Sequence, residues 1–461
     1  MTVVDVAVVG GGIVGCAVAR ELAGRRLSVA LLEARGDIGD VTSKANTAIL
    51  HTGFDATPGS LESRLVRRGY DLLTAYAVPA GIPLERVGAV LVAWDDEQLA
   101  TLPTLLAKAV ANGYDHGGLI DVDEVYRRLP NLAPGALGGL LIPDESIVCS
   151  WTSALAFATE AVHRGAALLL RHRVTGVDVG PERTVLRTEA GDVTTSWVVN
   201  AAGLGADVLD RLLGHDRFTV VPRRGELIVF DKLARELVEH IVLPVPTARG
   251  KGVLVSPTIY GNVMLGPTSE NIEDRTATAT TTHGLEFLLD KGRALMPRLL
   301  EEDVTAAYAG LRAATEHDDY VVDVDADQRY VLLGGIRSTG LTSSLALAEH
   351  VVGLLAACGL DVDPREDLPA VPRMPNIGEA FLRPYADAER IDADPEYGRL
   401  VCFCERVSRG EVRDAFASTV PPCDLDGLRR RTRALMGRCQ GFYCGAEVSR
   451  LLGESTGGGA S

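Results

Sequence analysis

Two cysteine pairs close the sequence: Cys402 and Cys404 in VCFCERVSRG, and Cys439 and Cys444 in GRCQGFYCG. Four thiolates offered from two hairpin-like turns suit a zinc ion or an iron–sulfur cluster. The C-x-C and C-x4-C spacing departs from the C-x2-C pairs of a zinc ribbon. Far upstream, His51 in AILHTGF follows a stretch of small residues, and an imidazole that titrates near neutrality suits proton transfer. Arg312 in YAGLRAAT stands at the end of a predicted strand, Thr305 to Leu311, where a planar guanidinium grips a carboxylate or phosphate at two points. Arg337 lies among the glycines of GGIRSTG and offers positive charge to a cofactor or a substrate oxygen. Each has a plainer alternative: a histidine that only packs, an arginine in a surface ion pair, cysteines around a structural zinc. Lys44 and Arg224 are further basic candidates, better suited to structural or solvated roles.

These residues need elements to position them. VVDVAVVGGGIVGCAVARELAGRRLSVALLEAR reads as strand, tight turn, helix, strand, with the first strand at Val4 to Val9. Gly10 permits the turn, Gly12 lets the backbone approach a pyrophosphate, and Gly15 lets the helix pack closely on the sheet. Ile13 and Val14 open the helix, whose N-terminus suits phosphate. Glu33, ending the second strand, is placed for a ribose hydroxyl pair and favours FAD or NAD over NADP. Three later stretches favour FAD. VTSKANTAILHTGFD brings Thr42 and Ser43. The region around 170–205 brings Val174 and, in VVNAAGLGAD, Ala202 and Gly203. YVLLGGIRSTGLTSSLALAEHVVGLL brings Gly335, Arg337 and Gly340-Leu341-Thr342, the last three just before a helix. An extended cofactor needs such a distant closing segment; NAD alone does not.

GGGIVG, TSKANTAILHTGFD, IPDESIV, NAAG, YAGLRAATEHDDYVV and GGIRSTGLTSSLALA together resemble the D-amino-acid-oxidase-like flavoprotein superfamily, from Val4 to about Leu355. Within it the chain is most similar to anaerobic glycerol-3-phosphate dehydrogenase A subunits and L-2-hydroxyglutarate dehydrogenases. The tail, with RTRALMGRCQGFYCG, resembles the BFD-like [2Fe-2S] domain from Arg399 to about Leu452. The resemblance implies FAD and a [2Fe-2S] cluster as cofactors, His51 near the flavin, and Arg312 on the substrate anion. One departure concerns the substrate: Ala313 follows Arg312 where glycerol-3-phosphate enzymes often have proline. The implied reaction is oxidation of a small anionic secondary alcohol, glycerol 3-phosphate first and a 2-hydroxy acid such as 2-hydroxyglutarate second. Electrons would leave through the cluster to a quinone or an electron-carrier protein. Amino- or imino-acid oxidation, and a role as the electron-transfer subunit of a complex with partner subunits, are the rival readings.

The resulting fold class is α/β. A discontinuous Rossmann-like FAD-binding domain (1–80, 151–215, 326–359) carries an inserted mixed-sheet α+β substrate domain (81–150, 216–325). VGAVLVAW and RGELIVF read as strands of the insert, and EQLATLPTLLAKAVANG and LEFLLDKGRALMPRLL as its helices. A linker (360–398) holding six of the 22 prolines follows, then a small helical iron–sulfur module (399–452) and a disordered tail (453–461). Hydrophobic residues at 46% supply ample core, and a net charge of −16 argues against nucleic acid as a partner. No apolar run reaches membrane-spanning length, and the opening lacks the basic leader of a signal peptide. The expected compartment is the cytoplasm, with peripheral contact on the inner face of the membrane as the variant. Disulfides are disfavoured there; Cys16, Cys149, Cys358 and Cys423 read as packing residues. The basic run Arg429 to Arg433 is expected to offset the charge of an anionic cluster.

Overall fold

The computed structural model describes residues 2–246, 252–379 and 381–455. The opening segment forms strand β1 (Thr2–Val9), helix α1 (Ile13–Ala23) and strand β2 (Val29–Leu32), with β1 and β2 parallel. Along β1, Val6 and Val8 enter one hydrophobic cluster while Ala7 and Val9 enter another, so the period of two serves a sheet covered on both faces. This sheet has eight strands. β1 is central, flanked by β2 and by Val193–Asn200, which in turn pairs in parallel with Tyr330–Gly334. Helix α1 packs against Ser150–His163 and Gly340–Ala357, and Leu61–Ala80 packs on the latter.

A second, nine-stranded sheet draws on two separate chain segments. Ala89–Ala93, Gly118–Ile120 and Gly138–Ile142 come from the first, and Val221–Phe230 through Val304–Ala314 from the second. Its longest pairing is antiparallel, Val221–Phe230 with Val304–Ala314, and sets Arg223 opposite Arg312. Asp96–Ala111 and Thr282–Leu295 are the helices that the apolar spacing predicts.

Several expectations need correction. Val321–Asp325, assigned to the inserted domain, pairs with Tyr330–Gly334 in the eight-stranded sheet. Arg312 lies within its strand, which runs on to Ala314. Gly340, Leu341 and Thr342 are the first turn of a helix, not the approach to it. That helix, Gly340–Ala357, is long and apolar enough to cross a bilayer, yet 67% of it is buried, which makes it a core helix here. The stretch 360–398 carries a short helix, Ala388–Ala393. Of the expected tail, residues 453–455 continue helix Gly445–Ser455, and 456–461 lie outside the described residues.

The cysteine-bearing module begins with a short hairpin, Leu400–Cys402 with Val407–Ser408. Helix Arg409–Ala417 follows, started by a reciprocal capping box between Ser408 and Glu411. Helix Leu425–Thr432 ends where Arg433 turns left-handed at φ +69°. Within the basic run at its end, Arg430 and Arg431 turn toward the loop after β2 rather than toward the cysteines. Arg431 makes two hydrogen bonds to Asp37 (2.7 and 2.9 Å), and Arg430 reaches Asp37 (2.8 Å) and Asp40 (2.9 Å) in the loop after β2. These arginines therefore dock the module onto the nucleotide-side domain. Asp37 is buried; burial alone would raise its carboxyl, and the two guanidiniums more than reverse this, holding it below its ordinary value. Its contribution is complete above the ordinary carboxyl value of 3.8 and fades as pH falls below it. Asp37→Ala leaves buried Arg431 without its carboxylate partner and Arg430 with Asp40 alone, and is expected to destabilise the docked module by about 3–5 kcal/mol. Limited proteolysis between Gly359 and Leu400, with urea unfolding, measures the loss.

Candidate active site

The ends of β1 and β2 open on a cleft of about 1420 Å³ that runs between the two sheets. Drug-sized ligands occupy roughly 300–1,000 Å³, so this space suits an extended cofactor with a small substrate beside it. At its β1 end, Gly10 adopts φ +114°, and a Cβ on Gly15 would stand 1.8 Å from the Gly10 carbonyl oxygen. Helix α1 can thus approach the sheet only with glycine at both places. Gly12, Ile13 and Val14 line the cleft, and α1 starts without a side-chain cap, so its positive end faces that space. Gly15→Val is expected to yield a protein without flavin absorbance, since the turn cannot close beneath the cofactor, while the cluster absorbance stays; the visible spectrum of the purified variant checks it.

Glu33 sits just past β2, and its carboxylate accepts hydrogen bonds from the amides of Gly11 and Arg35, both at 2.7 Å. Burial holds this carboxyl above its usual range against the pull of those amides. Thr42, Ser43, Val174, Ala202, Gly203, Gly340 and Leu341 also line the cleft. Thr42 Oγ1 donates to the Leu311 carbonyl (2.8 Å), and Ser43 Oγ accepts from Ile13 N–H (2.9 Å), joining three elements at one turn. Gly15, Gly335 and Thr342 stand outside the lining. Gly335 shapes the turn after Tyr330–Gly334, and Thr342 Oγ1 accepts the His51 amide at 3.0 Å.

His51 lines the same cleft, and its Nδ1 lies 3.1 Å from Glu145 Oε2. Glu145 is fully buried and also accepts from the amide and hydroxyl of Thr52 (2.7 and 2.9 Å). A carboxylate fixed in this way accepts a hydrogen bond from Nδ1–H, which keeps the proton on that nitrogen and leaves Nε2 as the basic atom. Glu145 escaped the sequence reading although it stands inside IPDESIV; nothing in the spacing says that it meets a histidine 94 residues away.

Arg312, the residue expected on the substrate anion, lines the cleft as well. Its guanidinium is largely buried, fits over Gly225 of the facing strand, and donates to the Thr268 carbonyl (3.0 Å). Burial, and then the charge of Arg223, lower it to about 10, so it remains a cation at neutral pH. Among the described residues neither Arg312 nor Arg223 has a carboxylate ion-pair partner, and both line the cleft. Arg223 was missed for its neighbour. Arg224 is instead tied to Glu270 at 2.5 Å. Alternation along a strand sends adjacent side chains to opposite faces. Arg337 lines the cleft and is partnered by Glu62 (3.4 Å) and the Asp318 carbonyl. Lys44 pairs with Asp40 at 2.8 Å.

In the tail module all four cysteines are free thiols. They stand as two neighbouring pairs, Cys402 with Cys444 and Cys404 with Cys439. Among the described residues no group of three or more His, Cys, Asp or Glu is drawn together as a metal site. The surroundings nonetheless suit an anionic cluster. Amides of Tyr443, Gly441 and Phe442 hydrogen-bond the Cys439 sulfur and lower that thiol, while burial and the proximity of Cys402 push Cys444 up to about 12. Unliganded thiols held side by side have this split; binding to iron deprotonates them. Four sulfurs on two turns, with amides directed at them, fit a [2Fe-2S] cluster.

Comparison with known proteins agrees with this arrangement. Residues 5–354 match the family described as FAD dependent oxidoreductase, and residues 400–454 match the BFD-like [2Fe-2S] binding domain. A glycerol 3-phosphate dehydrogenase of Caloramator mitchellensis is 33% identical over 98% of this chain and 94% of its own length. A glycerol 3-phosphate oxidase of Mycoplasma pneumoniae is 30% identical over 76% of this chain and 94% of its own. The dithionite-reduced, FAD-bound structure of the L-alpha-glycerophosphate oxidase from Mycoplasma pneumoniae superposes with a TM-score of 0.77 at 27% identity, covering 82% of this chain and 100% of that one. The chain belongs to the FAD-dependent oxidoreductase family. It is an enzyme whose cofactors are FAD and, in its C-terminal domain, a [2Fe-2S] cluster.

Proposed function

We propose that the enzyme oxidises sn-glycerol 3-phosphate to dihydroxyacetone phosphate and passes the electrons through the [2Fe-2S] centre to a quinone or a partner protein. The observation that carries this reading is the pair Arg312 and Arg223, which among the described residues lack a carboxylate partner and line the same cleft as the Glu145-oriented His51. Two guanidiniums without a counter-ion match a phosphate dianion. In support, the relative matched over nearly the whole chain, tail included, is called a dehydrogenase, whereas the oxidase match covers only 76% of this chain. Cys402, Cys404, Cys439 and Cys444 would hold the cluster, and the cytoplasm suits their free thiols.

The Gly10–Gly15 turn, Glu33, Thr42, Ser43 and the Gly340 helix start would hold FAD, which would supply a hydride acceptor. Arg312 and Arg223 anchor the phosphate and so fix where the carbinol stands. His51 Nε2 takes the hydroxyl proton, and Glu145 steadies the imidazolium that results. Arg337 adds positive charge near the reacting end, moderated by Glu62. Anaerobic dye reduction with glycerol 3-phosphate, glycerol, L-2-hydroxyglutarate and amino acids tests the assignment. Only glycerol 3-phosphate is expected to turn over efficiently, with glycerol down about a thousandfold for want of the anion. Preferred turnover of the hydroxy acid or an amino acid would reassign the substrate.

A further inference from the structure

The module meets the body of the enzyme through more than ion pairs. Between the Asp37 clamp and the pair Arg438–Asp231 (2.7 Å) lies a continuous run of packed groups. Glu405 directly follows Cys404 and receives Arg433 Nε at 2.8 Å. The buried Arg433 guanidinium lies 4.2 Å from the centre of the Tyr260 ring. Tyr260 stacks on Trp151 with ring centres 4.9 Å apart and planes 21° from parallel. Trp151 Nε1 donates to the Lys44 carbonyl at 3.0 Å. Lys44 closes the short turn Thr42–Lys44, whose Thr42 and Ser43 line the cofactor cleft. Hydrogen bonds and stacked rings thus connect a residue adjacent to one cluster sulfur with the wall of the cleft.

We infer that the Trp151–Tyr260 stack is the electron link between the flavin side of the enzyme and its cysteine module, an inference that rests on the proposed exit of electrons through the cluster. Electrons cross packed and bonded matter far more readily than a gap, so two π-systems in contact at this junction shorten the non-bonded part of the route. The accounting is simple. The substrate carbon gives up a hydride, two electrons in all, to the flavin, and its hydroxyl proton to His51. The two electrons then cross to the cluster one at a time, each consuming one molecule of an external one-electron acceptor such as ferricyanide, and the protons reach solvent. A rival route runs from Gln440 Nε2 to the Thr305 carbonyl (2.9 Å) and along the strand toward Arg312. That strand carries Tyr308, whose hydroxyl donates to the Asn46 carbonyl (2.8 Å), but among the described residues no second ring stacks on it, so this route lacks paired π-systems.

The test uses the holoenzyme and its Trp151→Leu, Trp151→Phe, Tyr260→Leu and Gln440→Ala variants. Flavin bleaching by glycerol 3-phosphate and cluster reduction are followed separately under anaerobic conditions, by stopped-flow absorbance and freeze-quench EPR. Leucine at either position leaves a void in the stack, so cluster reduction should slow by about tenfold while flavin bleaching keeps its rate. Trp151→Phe restores most of the loss, and Gln440→Ala has no effect. Reduction potentials of both centres stay as in the unaltered enzyme, while thermal unfolding of the cofactor-free chain reports the packing lost with each ring. Photoreduction of the flavin starts the same measurement without substrate, so failure of the substrate assignment is recognisable on its own. Undiminished cluster reduction in both leucine variants, slowing that follows a shifted potential, or slowing confined to Gln440→Ala would overturn the inference.

Discussion

Arg312→Ala is expected to lower kcat/KM for glycerol 3-phosphate about 10²–10³-fold, chiefly through KM. The argument is electrostatic. Arg312 is largely buried, it donates a hydrogen bond to a neutral carbonyl, and Arg223 beside it is a second cation. Two like charges held together in a poorly solvated wall destabilise one another until an anion arrives, and the substrate phosphate supplies it. Truncation removes both the bidentate contact and much of the potential that attracts the dianion. Arg312→Lys should recover part of the charge term and little of the geometry, because an ammonium cannot form the planar fork. Steady-state kinetics with glycerol 3-phosphate and with glycerol separate the contributions: the variant's loss should vanish for the uncharged alcohol.

His51→Ala is expected to lower kcat about 10²–10⁴-fold with little change in KM, the range for loss of a positioned general base. His51 is held at its amide by Thr342 and at its ring by Glu145, so its geometry is set before substrate enters. Glu145→Gln should cost less and act through the histidine. An amide can present its NH2 to Nδ1, which favours the tautomer protonated at Nε2 and removes the base. Its signature is a displaced pH profile of kcat with the substrate affinity intact. Stopped-flow flavin bleaching reads the chemical step directly for both variants.

The sequence made the nucleotide-binding half legible because its chemistry is local. Gly10, Gly12 and Gly15 fall within six residues of one another, and their roles follow from steric limits that apply in any chain. Strand and helix periods likewise marked Asp96–Ala111 and Thr282–Leu295 from side-chain pattern alone. The active site was legible only in part. His51 and Arg312 announce themselves by residue type, but their partners come from elsewhere in the chain: Glu145 from the turn between Gly138–Ile142 and Ser146–Val148, Arg223 through the register of Val221–Phe230 with Val304–Ala314. A pairing register is a tertiary property, so a reader of residues chooses between Arg223 and Arg224 without a rule. The basic run of the module shows the same limit. Charge beside four cysteines suggested compensation of the cluster, whereas the folded chain turns Arg430 and Arg431 away to meet Asp37, almost 400 residues earlier.

Anaerobic titration of the purified holoenzyme with glycerol 3-phosphate, followed in the visible region, tests the central claim most directly. The flavin absorbance should bleach first and the cluster absorbance after it, with glycerol ineffective and ferricyanide restoring both. A flavin that stays oxidised with glycerol 3-phosphate, but is bleached by a hydroxy acid or an amino acid, would contradict the account.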